Sequence, residues 1–205
     1  MTSEGVGRKC KVVLLGSTGV GKTSILLRKT GSGFSSHINP TIGASFVTCK
    51  VVVDGATVDM QVWDTAGQER FRAMAPMYYR NTDAAVLVYD ITSELSFQEA
   101  TEWASEIQRN LANQVAFMVL GNKSDLAKNR EVPTDVGREL GHSFKAPFFE
   151  TSALTGAGIE PAFKTLASML LNQNSVTGAE KEVWGDSGIH QPSATDANSR
   201  RKKCC

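Results

Sequence analysis

Along residues 9–172, unbroken apolar runs alternate with stretches in which apolar residues return every three or four positions. KCKVVLLG (9–16) closes with Val12, Val13, Leu14 and Leu15 ahead of Gly16, as a strand covered on both faces would. SFVTCKVVV (45–53) and TVDMQVWD (57–64) flank Asp54-Gly55, a dipeptide suited to a tight hairpin turn. AAVLVYDIT (84–92), VAFMVLGNKSD (115–125) and APFFETSA (146–153) are three further buried-strand candidates. Helical spacing occupies the gaps. Phe97, Ala100, Ala104 and Ile107 share one face of SFQEATEWASEIQ, where Ser96 and Glu99 fit a capping box. TDVGRELGHSF (134–144) is a shorter helix candidate with Thr134 as its cap, and Ile159, Phe163, Leu166 and Leu170 form a last apolar stripe. Strands alternating with helices predict an α/β fold. Its six-stranded sheet is mostly parallel, with helices on both faces and the hairpin supplying one antiparallel edge strand.

After about residue 172 the periodicity ends. The segment that follows is polar and rich in Gly and Ser, and it buries too little apolar surface to offset the entropy of ordering. The expected organisation is a flexible segment 1–8, one domain over 9–172, a flexible linker over 173–203 and a terminal Cys204-Cys205 pair. The net charge of +1 lacks the basic excess of a nucleic-acid binder, so no nucleic-acid partner is expected. The first residues carry no apolar signal core, Gly does not follow Met1, and no apolar run is long enough to span a bilayer. Cys10 and Cys49 stand alone in sequence, which is no disulfide framework. A reducing, cytosolic setting and a monomer are expected.

Four short motifs fall just past predicted strands. GSTGVGKT (16–23) has the G-x-x-x-x-G-K-[ST] spacing of a phosphate-binding loop. Its glycines let backbone N–H groups of Ser17, Thr18, Gly19, Val20 and Gly21 turn towards phosphate oxygens. Lys22 supplies positive charge, Thr23 a hydroxyl for Mg2+, and Ser24 begins a helix whose positive end faces the same anion. NKSD places Asn122, Lys123 and Asp125 after another strand. Asp125 can accept from the guanine N1–H and 2-amino groups, which adenine lacks, and Lys123 can lay its stem along the base; the bland alternative is a polar loop. Ser152, Ala153 and Leu154 follow a third strand, and the Ala153 N–H suits the guanine 6-oxo group. WDTAGQE (63–69) supplies Asp64 towards Mg2+, the Gly67 N–H for a γ-phosphate and Gln68 to orient an attacking water. Thr41, in PTIG, would complete the Mg2+ shell only while that γ-phosphate is present. In an open α/β sheet this edge is where ligands bind.

With these motifs the chain resembles the Ras superfamily of small GTPases, and within it the Rab family, over roughly 9–172. The Rab-like segments are IGASF (42–46), MQVW with DTAGQERF (60–71), MYYR (77–80) and LVYDIT (87–92). INPTIGASF and RFRAMAPMYYR look most like the early-endosomal branch. The resemblance implies a P-loop NTPase fold of Ras type and GTP hydrolysis with GTP, GDP and Mg2+ as ligands. It implies that Phe34 packs edge-on against guanine, with Gln68 and Lys22 as catalytic residues. It implies two nucleotide-dependent switch segments around Thr41 and over 64–78. Phe46, Trp63 and Tyr78 match an aromatic triad read by effectors, although core packing accounts for Trp63 equally well. An exchange factor, a GTPase-activating protein, an escort protein or GDP-dissociation inhibitor, and effectors are the implied partners. No Arg lies between Phe34 and Thr41, so an arginine finger would come from the activating protein.

Two departures matter. Leu154 stands where the family has Lys, which leaves the backbone contact of Ala153 intact. Thr18 is larger than the Gly or Ser found at its position, and crowding of Gln68 predicts slow intrinsic hydrolysis. A nucleotide-locked, poorly hydrolysing effector-binding scaffold is the alternative. The terminal NSRRKKCC resembles the Rab signal for two geranylgeranyl groups on Cys204 and Cys205, with Arg200, Arg201, Lys202 and Lys203 adding attraction to anionic lipid. The expected location is the cytoplasmic face of intracellular membranes, early endosomes first, with a cytosolic pool on extraction.

Overall fold

The structure is a computed structural model that describes residues 8–33, 39–41, 43–67, 81–110 and 115–173. Six strands form one sheet: β1 (Arg8–Leu15), β2 (Ala44–Val53), β3 (Ala56–Thr65), β4 (Ala84–Asp90), β5 (Ala116–Asn122) and β6 (Phe148–Glu150). Among the described residues four helices accompany them: α1 (Lys22–Lys29), α2 (Glu94–Asn110), α3 (Thr134–Ser143) and α4 (Ile159–Gln173). A short 3-10 helix covers Ser124–Asn129. The strand order is β2-β3-β1-β4-β5-β6, and only the β2–β3 pair is antiparallel. This is the expected mostly parallel sheet, with the hairpin as its antiparallel edge.

The apolar runs are continuous because both faces are covered. Val12 and Leu14 of β1 pack on one side with Ile25 of α1 and with Ile159, Phe163, Leu166 and Leu170 of α4. Val13 and Leu15 point the other way, into Ala100, Trp103, Ala104 and Ile107 of α2 and Leu140 of α3. Every residue of β4 is buried, as the central position of that strand requires. Cys10 and Cys49 are both buried beside Met60, one on each side of it, and neither is in a disulfide. No helix among the described residues is long and apolar enough to cross a membrane.

Two caps differ from the sequence expectation. α2 begins at Glu94, two residues before Ser96, because Ser93 is the cap: its Oγ accepts the Ser96 N–H at 3.2 Å. Ser96 instead accepts the Asp90 N–H at 3.0 Å and donates to the Ser93 carbonyl at 2.8 Å. Thr134 is the first residue of α3, behind Pro133, and its hydroxyl donates to Glu150 at 2.8 Å. In both places a tertiary acceptor or a neighbouring serine outcompetes the local capping geometry.

The site follows from the strand order. The chain leaves β1 at the centre, builds β2 and β3 on one side, then crosses to β4 on the other. Connections thus diverge at the C-terminal end of β1, which opens a crevice there.

Candidate functional site

The segment after β1 turns sharply because its glycines permit it. Gly16 has φ +143°, and a Cβ there would lie 2.0 Å from the Val88 carbonyl oxygen. Gly21 has φ +99° and sits hard against Asn122, whose Nδ2 would be 2.3 Å from a Cβ. The loop therefore curls tightly over the ends of β4 and β5 before α1 starts at Lys22. Lys22 is 5% exposed, and its Nζ donates to the carbonyls of Gly16 at 2.7 Å and Ser17 at 2.9 Å. Burial lowers its pKa to about 8, against the favourable charges of Asp64 and Glu99. The ammonium therefore remains largely protonated at neutral pH. A buried cation whose hydrogen bonds among the described residues go to two neutral carbonyls is matched to an anionic ligand.

Beside it lies a cluster of three oxygen ligands. The Thr23 hydroxyl donates to Asp64 Oδ2 at 2.6 Å and lies 3.0 Å from the Thr41 hydroxyl, which is itself 3.3 Å from the same carboxylate oxygen. Asp64 is 1% exposed, and its Oδ1 is buried without a hydrogen-bond partner among the described residues. Burial raises the Asp64 pKa, opposed by the Thr23 hydrogen bond, the Lys22 charge and the Thr41 hydrogen bond. An orphaned carboxylate oxygen next to two hydroxyls is a hard, all-oxygen donor set of the kind Mg2+ takes. Gly67 closes this end: a Cβ on it would lie 2.4 Å from both the Ser17 carbonyl carbon and the Thr18 nitrogen.

The far end is built on Asn122. It is 1% exposed, donates Nδ2 to the Val20 carbonyl at 2.7 Å, and accepts from the Thr151 hydroxyl at 3.2 Å and the Ala153 N–H at 3.3 Å. It thus bolts the phosphate-type loop to the segment after β6. Lys123 takes the left-handed conformation (φ 65°), with its ammonium 2.7 Å from Asp90. A non-glycine residue in that region is strained, by about 1–3 kcal/mol, and the neighbouring Ser124 N–H to Thr151 carbonyl bond at 3.0 Å helps to hold it. The Ser152 hydroxyl donates to Asp125, aiming the carboxylate.

These elements line one cleft of about 440 Å3. Thr18, Gly19, Gly21, Lys22, Thr23, Ser24, Thr41, Gly67, Asn122, Lys123, Asp125, Ala153 and Leu154 all border it. Asp64 and Ser152 stand behind that lining as hydrogen-bond partners of Thr23 and Asp125. Ser17 is turned towards α2, where its hydroxyl donates to Glu99, and the buried Val20 offers its carbonyl to Asn122. Asn39, Pro40, Thr65 and Leu126 also border the cleft; Pro40 and Thr65 lie inside PTIG and WDTAGQE without an assigned role, and Asn39 and Leu126 only flank motifs. Away from it, Phe46 is 56% exposed on β2 and packs against the half-buried Trp63, with ring centroids 5.4 Å apart. Trp63 also receives the Lys11 ammonium over its ring at 5.1 Å. Phe34, Gln68, Tyr78, Cys204 and Cys205 lie outside the described residues.

Comparison with protein-family models gives a match to the model described as the Ras family, over residues 11–172. That span holds every residue bordering the cleft.

Proposed function

The chain belongs to the Ras family of small GTPases, and on that footing we infer that it is a membrane-anchored GTPase of Rab type. In this reading it alternates between a GTP-bound active and a GDP-bound inactive state to regulate vesicle and endosomal traffic. Family members in general bind GTP or GDP with Mg2+, hydrolyse GTP, and answer to exchange factors and GTPase-activating proteins. The observation that carries the reading is the single cleft. A buried cation and an oxygen-ligand cluster lie at one end, and an aimed carboxylate and the Ala153–Leu154 segment at the other. The Rab assignment rests on the segments IGASF, DTAGQERF and MYYR.

The residues would divide the work as follows. Lys22 and the backbone N–H groups of the glycine-rich loop take the phosphate charge. Thr23, Thr41 and Asp64 would hold Mg2+, which when bound neutralises charge developing on the phosphate oxygens. Asp125, oriented by Ser152, accepts from the two guanine donors, and Ala153 faces the 6-oxo group. Gln68 orients the water that attacks the γ-phosphate. Loss of that phosphate releases Thr41 and Gly67, and the change of order around them is what effectors read at Phe46, Trp63 and Tyr78. Two lipids on Cys204 and Cys205 anchor the protein, and replacing both with Ser leaves it in the cytosol.

A scaffold that binds GTP but barely hydrolyses it is favoured by one observation. Thr18, with a side chain larger than Gly or Ser, borders the cleft beside Gly67, the residue before Gln68. Single-turnover hydrolysis of preloaded GTP with Mg2+, wild type beside Gln68→Leu, separates the two readings. Slow turnover that falls further in the variant supports the switch. Equal, near-zero rates support the scaffold, and Thr18→Gly is then expected to restore turnover.

A further inference from the structure

The segment that faces the base is gripped from behind by a residue that belongs to none of the motifs. Arg28, in the last turn of α1, donates Nε to the Ala153 carbonyl at 2.9 Å and Nη2 to the Leu154 carbonyl. On its other side the Ala153 N–H is 3.3 Å from Asn122 Oδ1. The two peptide units that meet at Ala153 are therefore both held, the one after it by a cation at its carbonyl and the one before it by an amide oxygen at its N–H. The guanidinium suits this task because its planar fork reaches two successive carbonyls at once, which a lysine ammonium on a flexible stem does less well. Its placement is also mechanical. α1 starts at Lys22 and Thr23, on the phosphate side, and ends at Arg28 and Lys29. A rigid rod of about 12 Å thus joins the two ends of the cleft.

We propose that Arg28 is a positioning residue for base recognition. By fixing the carbonyls of Ala153 and Leu154 it anchors the chain on the C-terminal side of Ala153, while Asn122 engages its N–H, and the two together set where that N–H is presented to a purine 6-oxo group. The proposal rests on the reading of the cleft as a guanine-nucleotide site, and Arg28 does not touch the ligand. A role confined to stapling α1 onto the loop would weaken every nucleotide alike. A role in aiming the donor weakens only nucleotides that carry the 6-oxo group.

The test uses the full-length protein with GDP and the diphosphate of 2-aminopurine riboside, which keeps the guanine 2-amino group but lacks both the 6-oxo group and the N1–H that Asp125 accepts; the N1–H difference is the same in every variant, so only changes in the preference are read. Dissociation constants of both are measured for wild type, Arg28→Gln, Arg28→Lys and Lys29→Ala. Lys29 is the control: it pairs with Glu160 of α4 at 2.6 Å, tying the same helix down without a contact to the loop. Wild type is expected to prefer GDP. Arg28→Gln is expected to weaken GDP by about ten- to a hundredfold and the analogue by no more than about twofold, so the preference narrows by that factor and keeps only the part owed to the N1–H at Asp125. Arg28→Lys should fall between, and Lys29→Ala should lower the thermal midpoint with the preference intact. Equal weakening of both nucleotides in Arg28→Gln overturns the proposal, as does a collapse of the preference in Lys29→Ala. Should Arg28→Gln not fold, an unchanged preference in Arg28→Lys overturns it. A wild type that binds both diphosphates equally overturns the guanine reading, and the proposal with it.

Discussion

Removing the side-chain amide of Asn122 tests whether the two ends of the cleft are one mechanical unit. In Asn122→Ala three polar groups lose their partner: the Val20 carbonyl, the Thr151 hydroxyl and the Ala153 N–H. All three belong to buried residues, at 2%, 0% and 4% exposure, so bulk water does not replace the lost amide. A buried group left unmade costs about 1–3 kcal/mol. The Val20 bond is short at 2.7 Å and belongs at the upper part of that range, whereas the other two are long and belong at or below its lower end. The sum is about 3–4 kcal/mol, a large share of the roughly 5–15 kcal/mol by which domains are stable. Urea unfolding of GDP-loaded protein, at one fixed excess of GDP and Mg2+, measures it, since ligand concentration itself shifts the midpoint. The same variant should release a fluorescent GDP analogue about a hundredfold faster, because each 1.4 kcal/mol is tenfold. A stability loss within 0.5 kcal/mol of zero, about the scatter of a neutral surface change, with an unchanged release rate, would refute the reasoning. The phosphate and base loops would then be held independently.

Two further predictions concern the frame under the base side. Gly137→Ala in α3 should gain about 1 kcal/mol of helix propensity, yet a Cβ there lies 2.3 Å from the Tyr89 hydroxyl and 2.8 Å from the Phe148 ring. Overpacking costs about 1–3 kcal/mol, so a net loss of up to about 2 kcal/mol is expected. The Tyr89 hydroxyl is buried without a partner among the described residues, so Tyr89→Phe alone should be neutral or stabilising and should relieve part of the Gly137→Ala loss. Additive thermal-unfolding effects in the double variant would contradict this. Glu150 accepts from Arg130 at 2.7 and 2.9 Å and from Thr134 at 2.8 Å. Burial alone would raise its carboxyl, but these hydrogen bonds and the charges of Arg130 and Arg138 outweigh it, and the pKa falls below the ordinary 4.5. A depressed carboxyl contributes stability that is complete above 4.5 and lost as pH falls through the lower folded value. Glu150→Gln should therefore cost about 1–2 kcal/mol at neutral pH, and its unfolding curve should meet that of wild type in acid; parallel curves down to the acid limb would exclude the linkage.

What the sequence disclosed and what it hid follow a physical division. The strands of the central sheet were legible because Val12 to Leu15 and Ala84 to Tyr89 are covered on both faces, and continuous apolar character is the direct mark of that environment. The phosphate-type loop was legible because its curl needs glycines at fixed spacing, and the close approaches at Gly16 and Gly21 are the steric reason. The caps misled because Ser93 and Ser96 are equally good local candidates, and only the Asp90 N–H, reached through the fold, assigns Ser96 to another task.

The hidden part consists of contacts between residues remote in the chain whose types are ordinary where they stand. Arg28 reads as one more basic residue near a helix end, where it would be placed by the helix dipole alone; its carbonyl partners are 125 and 126 residues away. Ser17 fills a loop position that any small residue would satisfy, yet Glu99 is 82 residues on, in a helix whose exposed face carries other acids. Asn122 was read from the spacing of its motif, but its structural role depends on Val20, 102 residues earlier. A side chain at a cleft can therefore be found from local pattern, because the ligand imposes the residue type. The side chain that aims it cannot, because many types and many positions would serve, and the fold alone selects among them. Aiming residues such as Arg28 and Asn122 are accordingly where substitutions should separate nucleotide retention from the chemistry proposed for Lys22 and Gln68.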